Sequence, residues 1–168
     1  ECLEHAGASR EDVWITNAVK CHPPGNRNPS ETEMNACIEY LYTECSIIKA
    51  RVMLLLGNVP LKAVLGWTGI TRERGVWRLQ WTDWGPMLVL PTFHPAFCKR
   101  QPQRTPDLKD DIETFMMAAR FSASYSPTET WKWFSKAPCR IDPQRGWGQS
   151  AKIEAQTDHG TAAQGVGP

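Results

Sequence analysis

Five consecutive apolar residues, Val52–Leu56 (VMLLL), stopped by Gly57, constrain this chain more than any other stretch. A strand with one wet face alternates apolar and polar side chains. An unbroken apolar run needs cover on both faces, which is the signature of a strand inside a parallel sheet. Two further short segments suit the same sheet. Val13–Ile15 is β-branched and aromatic and ends in Thr16 and Asn17; Met87–Leu90 runs into Pro91-Thr92-Phe93-His94-Pro95.

Helical signals separate these segments. Ser30 and Glu33 form a capping-box pattern, after which Met34, Ile38, Leu41, Cys45 and Ile48 recur as one apolar stripe with Cys37 on its shoulder. Asn58 can cap a short helix with Pro60 in its first turn and Gly66 at its end. Thr105, Pro106 and Asp107 open a last helix with the face Leu108, Ile112, Phe115, Met116 and Ala119. Asp107, Asp110 and Asp111 suit its positive amino end. Residues 70–84 alternate Val76, Arg78 and Gln80 with Trp77, Leu79 and Trp81, as a hairpin or an exposed β-segment would.

This order of strands and helices describes a three-layer α/β/α domain with a small, mostly parallel sheet over residues 1–121. From Ser122 the character changes, and residues 122–168 read as a carboxy-terminal extension. Trp131, Trp133 and Phe134 form an aromatic knot, and residues 149–168 are expected to be disordered because they can bury too little to offset ordering entropy.

A net charge of +1 over 168 residues gives no global sign of a nucleic-acid partner, so any basic surface must be local. No apolar run is long enough to span a membrane, and no secretory signal is present. The six cysteines show neither a CxxC pair nor zinc-finger spacing. Glu1 stands within a helix-like segment (Cys2, Leu3, His5, Ala6, closed by Gly7), so an amino-terminal portion is expected to precede it.

Two polar residues at strand ends attract a chemical reading, because ligands of open α/β folds sit beyond the carboxyl ends of strands. Asn17 follows the first apolar segment and could read a ligand or make a local backbone bond. His94, biased to an extended backbone by Pro95, could point into the same crevice or be a structural histidine. After Asn17 comes a basic Pro/Gly loop with Lys20, Cys21, Pro23, Pro24, Gly25 and Arg27. After His94 comes Ala96-Phe97-Cys98-Lys99-Arg100, which with Arg104 could lie along a phosphate backbone or be a solvated loop.

Taken together, WITNAVKCHPPGNR and LPTFHPAFCKR resemble the uracil-DNA glycosylase superfamily, specifically the family 4 (iron–sulfur) branch and its close family 5 relatives. The resemblance extends through Ser30–Cys37, VMLLLG, GITRERG and DLKDDI, roughly residues 1–120. It implies a DNA-repair enzyme of base excision, a monomer acting inside the cell in the cytoplasm. That enzyme hydrolyses the N-glycosidic bond of deoxyuridine in uracil-containing DNA. Asn17 matches the uracil-reading Asn, whose amide accepts from N3–H and donates to O4; cytosine presents the opposite polarity at both atoms. His94 matches the histidine that donates toward uracil O2 and stabilises the departing anion.

Phe97 and Arg100 match the loop that enters or braces DNA, with Cys98 and Lys99 in place of the usual apolar pair; Lys99 and Arg27 complete the expected DNA contacts. Cys21 and Cys37 match two of four [4Fe–4S] ligands, a cluster with no redox task in the reaction. The resemblance puts the other two ligands, the first sheet strand and the water-handling residue upstream of Glu1, so this chain alone is expected to be poorly stable or inactive. Two other classes stay open: a non-catalytic DNA-binding or scaffold module of the same fold within a larger replication or repair protein, and a metal-binding domain without DNA contact.

Overall fold

The computed structural model describes residues 1–125 and the backbone of residues 140–141. The aromatic knot and the segment 149–168 lie outside the described residues. Helix α1 (Cys2–His5) closes at Gly7, whose φ of 63° few other residues adopt. Helix α2 (Glu31–Ile48) starts at the expected capping box: the Ser30 hydroxyl accepts from the Glu33 N–H and the Glu33 carboxylate accepts from the Ser30 N–H. Met34, Cys37, Leu41 and Cys45 are its buried residues. Cys37 therefore belongs to the stripe rather than its shoulder, while Ile48, in the last turn, is 46% exposed.

Strand β1 (Val52–Leu56) is followed by α3 (Asn58–Leu65), α4 (Ile70–Glu73), β2 (Arg78–Thr82), β3 (Gly85–Thr92), α5 (Pro95–Arg100) and α6 (Thr105–Ser124), with a short β4 (Arg140–Ile141). The strands form one sheet in the order β1-β3-β2-β4. The β1–β3 and β2–β4 pairs are parallel and the β2–β3 pair is antiparallel, so the sheet is mixed but mostly parallel. Its two faces are both covered. Leu79, Leu88 and Leu90 pack with Trp77 and with Ala118, Phe115 and Phe121 of α6. On the other face, Leu55, Met87 and Val89 meet Leu41 and Cys45 of α2 and Leu61, Val64 and Leu65 of α3. The result is the three-layer α/β/α arrangement.

Three sequence expectations change. Val13–Ile15 is no buried strand: Val13 is extended, but the segment pairs with no strand among the described residues, and Trp14 and Ile15 are 65% and 52% exposed. β-propensity expresses a fit to a half-buried pleated surface, and without a neighbouring strand it fixes nothing. Residues 70–73 form a helix rather than β-structure; the expected hairpin follows it, but its strands are largely buried, with Trp81 and Asp83 exposed near the turn. Arg78 and Gln80 are buried on the α3 side, where the Arg78 guanidinium lies 4.8 Å above the Trp67 ring and 2.7 Å from Glu73. Finally, Gly57 rather than Asn58 occupies the cap of α3; the Asn58 side chain accepts instead from the N–H groups of Gly69 and Ile70. Gly66 ends α3 in the left-handed conformation, as expected.

Candidate active site

Because β1 and β3 run parallel, with Leu56 beside Thr92, their carboxyl ends emerge at one edge. The chain leaves β1 at Gly57 with φ 92° and ψ −172°, a region only glycine occupies freely, and its N–H donates to the Thr92 carbonyl at 2.9 Å. A Cβ on Gly57 would lie 3.1 Å from the Cβ of His94. A glycine is required here because two backbones and an imidazole stem converge.

His94 has φ −75° and ψ 139°, the extended backbone that a following proline favours, and it caps α5. Its Nδ1 accepts from the Ala96 N–H at 3.0 Å. An accepting Nδ1 assigns the neutral ring's proton to Nε2, so the exposed imidazole presents a donor to whatever lies beyond the sheet edge.

The stem of His94 is held from several directions. The Pro91 carbonyl accepts from Gly75 N–H at 2.9 Å, and Thr92, fully buried, donates its hydroxyl to Asp111. Asp111 faces inward from α6 and takes a forked contact from Arg74, through Nε at 3.1 Å and Nη2 at 2.9 Å. Burial pushes the Asp111 carboxyl upward; the Thr92 hydroxyl and the Arg74 charge pull it back. Arg74 and Arg104 also lie over the Phe93 ring, at 5.4 and 5.8 Å, and Arg104 reaches Asp107 at 3.3 Å. These partners were not singled out from the sequence, where Asp111 read as a charge near a helix start and Arg74 was only one letter of GITRERG.

Along α5, Phe97 is half-buried with its ring centroid 5.1 Å from that of Phe93. Cys98 is buried, and its thiol, pushed up by burial, lies 3.6 Å from the Arg104 carbonyl. Lys99 and Arg100 are exposed on the last turn. One short helix thus brings together His94, an anchored aromatic ring and two solvent-facing cations.

The other motif occupies separate elements. Asn17 is exposed, next to Ala18, which is buried in the core. The Lys20 ammonium bonds Thr16 and Glu44, each at 2.8 Å, and the Lys20 N–H donates to the Cys37 sulfur at 3.3 Å. That last bond ties the neighbour of exposed Cys21 to buried Cys37. Arg27 makes a forked pair with Glu33 at 2.7 and 2.8 Å, so its charge is already compensated. Among the described residues no group of three or more His, Cys, Asp or Glu side chains could hold a metal. No hydrogen bond or ion pair joins Asn17 to His94 among the described residues.

Comparison with known proteins fits this arrangement. Residues 1–116 match the model of the Uracil DNA glycosylase superfamily, and the chain belongs to that superfamily. It is 36% identical over 118 residues to the Type-4 uracil-DNA glycosylase of Sulfurisphaera tokodaii, covering 66% of this chain and 52% of the relative. It is 38% identical over 120 residues to the Type-4 uracil-DNA glycosylase of Thermotoga maritima, covering 67% of this chain and 59% of the relative. The chain thus spans between about half and three-fifths of the length of these relatives. A more distant match, 30% identical over 104 residues, covers 61% of this chain and 11% of a DNA polymerase of Bacillus phage SP01.

Proposed function

We propose that this chain carries the base-reading and leaving-group-stabilising part of a uracil-DNA glycosylase acting in base-excision repair. The observation that carries the reading is the Ala96 N–H bond to His94 Nδ1, which assigns the proton of the neutral form of this exposed imidazole to Nε2. When water adds to C1′ of deoxyuridine, the glycosidic electron pair passes to uracil and charge gathers on O2. A fixed neutral donor aimed there lowers the barrier without first transferring a proton, an effect of roughly 3 kcal/mol. Asn17 reads N3–H and O4, and the nucleotide reaches both groups only after flipping out of the helix. Lys99 and Arg100 face the phosphates, Phe97 braces their helix against Phe93, and Arg27 assists at the loop while tethered to Glu33.

Cys21 and Cys37 serve as two ligands of a [4Fe–4S] cluster. The N–H bond to the Cys37 sulfur suits a thiolate, but two thiolates do not complete a four-thiolate site. The cluster, when bound, would pin the loop and takes no part in the chemistry.

A gel assay on uracil-containing oligonucleotides tests the reading with His94→Ala and Asn17→Ala, made in the protein that carries the amino-terminal portion expected before Glu1. His94→Ala should slow excision by about 10²–10³-fold, and Asn17→Ala should slow it and erode the preference for uracil over cytosine. Wild-type rates in both variants would remove the proposal. The match inside a phage DNA polymerase favours a second reading, a DNA-binding module of the same fold within a replication protein. It predicts salt-sensitive DNA binding that depends on Lys99 and Arg100, with no excision in the wild type.

A further inference from the structure

We propose that the buried contact between Thr92 and Asp111, closed by Arg74, sets the direction of the His94 imidazole, which makes Thr92 and Asp111 positioning residues for base release. The consequence for rate rests on the glycosylase reading; the orientation itself does not.

Asp111 is 6% exposed and faces the sheet from the second turn of α6, on the same side as Leu108 and Ile112. A carboxylate taken from water costs several kcal/mol unless its partners are well placed, and an apolar side chain of similar volume often serves stability equally well. Thr92 poses the same question, being fully buried on a strand where valine fits the pleat and carries no hydroxyl to satisfy. Stability alone therefore accounts for neither side chain. Direction accounts for both, because hydrogen bonds fix angles where apolar contact does not.

The network surrounds the last residues before His94. Thr92 gives its hydroxyl to Asp111 and its carbonyl to Gly57 N–H, so its side chain and peptide are fixed together. Arg74 holds Asp111 by two bonds, donates to the Asp107 carbonyl at 3.1 Å and covers Phe93. The following residue, Gly75, donates to the Pro91 carbonyl, and a Cβ there would come within 3.3 Å of Asp111 Oδ1. Every residue from Pro91 to Phe93 is thus held before the chain reaches His94. Among the described residues the imidazole itself makes one hydrogen bond, from the Ala96 N–H, and its stem lies close over Gly57.

The test uses the full chain, with Thr92→Val (same shape, no hydroxyl) and Thr92→Ser (hydroxyl kept, methyl lost). Nitrogen-15 spectra of labelled histidine report the His94 tautomer, and amide exchange reports the Ala96 N–H, both without substrate. Wild type and Thr92→Ser should show one Nε2–H tautomer and a protected Ala96 amide. Thr92→Val should show mixed tautomers and faster exchange, with a Tm within about 3 °C of wild type. Single-turnover excision should fall about tenfold in Thr92→Val and stay near wild type in Thr92→Ser.

A wild-type His94 pattern in Thr92→Val, or a loss in both variants that simply follows Tm, overturns the proposal. So does an unchanged excision rate in Thr92→Val when the wild type excises. If no variant excises uracil, wild type included, the spectra still decide the orientation on their own.

Discussion

Val13–Asn17 and Leu88–His94 have the same form in the sequence, a short apolar β-former ending in a polar residue. In the structure they differ completely. β3 pairs with β1 on one side and β2 on the other, and Leu88, Val89, Leu90 and Phe93 are each no more than 3% exposed. The first segment has no strand beside it among the described residues, and Trp14 and Ile15 stand in solvent. Near the surface it is anchored through side chains: Lys20 on Thr16 and Glu44, then Arg27 on Glu33. One motif is buried from Leu88 to Phe93; the other touches the core at its flanks, through Val13 and Ala18, and is otherwise tied by charge near the surface. Strand propensity is permission to pair, and pairing is what rigidifies a strand end.

The largest expected effect on excision among the variants that probe this difference falls on Gly57, beneath His94. Gly57→Ala forces a Cβ into a backbone region that L-residues avoid, 3.1 Å from the His94 Cβ. A loss of about 2 kcal/mol in urea unfolding is expected. Excision should fall further than the lost folded fraction accounts for, because His94 must move. An alanine variant of wild-type stability would mean that the β3 end is far more pliant than its bonding implies.

Charge anchoring and burial also part company in acid. Arg27, with the Ser30 N–H, holds the Glu33 carboxyl well below the usual carboxylate range, at about 2. A depressed folded value means that the stabilisation is complete above the ordinary carboxylate pKa and disappears as pH falls toward 2. Asp111 has the opposite sign: its raised value favours the folded state at low pH and less so as pH rises through it. Amide exchange at the first turn of α2 should therefore accelerate between about pH 4.5 and 2 while β3 amides stay protected. In Glu33→Gln the acid dependence at α2 should vanish.

Much of this was legible beforehand because local rules carried it. The Ser30–Glu33 box, the extended His94 before Pro95, the Gly66 stop and the VMLLL strand each depend on a few neighbouring residues. What was misread depends on what lies opposite. Arg78 alternates with Trp77 and Leu79 as an exposed residue would, but a sheet covered on both faces buries it against Trp67 and Glu73. Asp111 looked like a helix-start charge although it stands three residues after Leu108, on the inward stripe; that spacing was the available signal. For Val13–Ile15 the pattern was right and the neighbour was absent among the described residues, which no pattern within the segment could reveal.

The smallest effect belongs to the exposed segment and is the sharpest test of the contrast. Trp14, at 65% exposed, should tolerate Trp14→Ala with a stability change below about 0.5 kcal/mol. Leu90→Ala in β3, from a residue 1% exposed, should cost about 3 kcal/mol. A tryptophan side chain is larger than a leucine, so size alone would rank the two substitutions the other way. Urea unfolding of both variants decides which factor governs. If Trp14→Ala costs as much as Leu90→Ala, the indole is buried in solution by a neighbour, and Asn17 then stands at the end of a paired strand as His94 does. If it costs almost nothing, the amide that would read the base rests on a segment held mainly by Lys20, Thr16 and Glu44. High salt should then loosen Asn17 while leaving His94 in place.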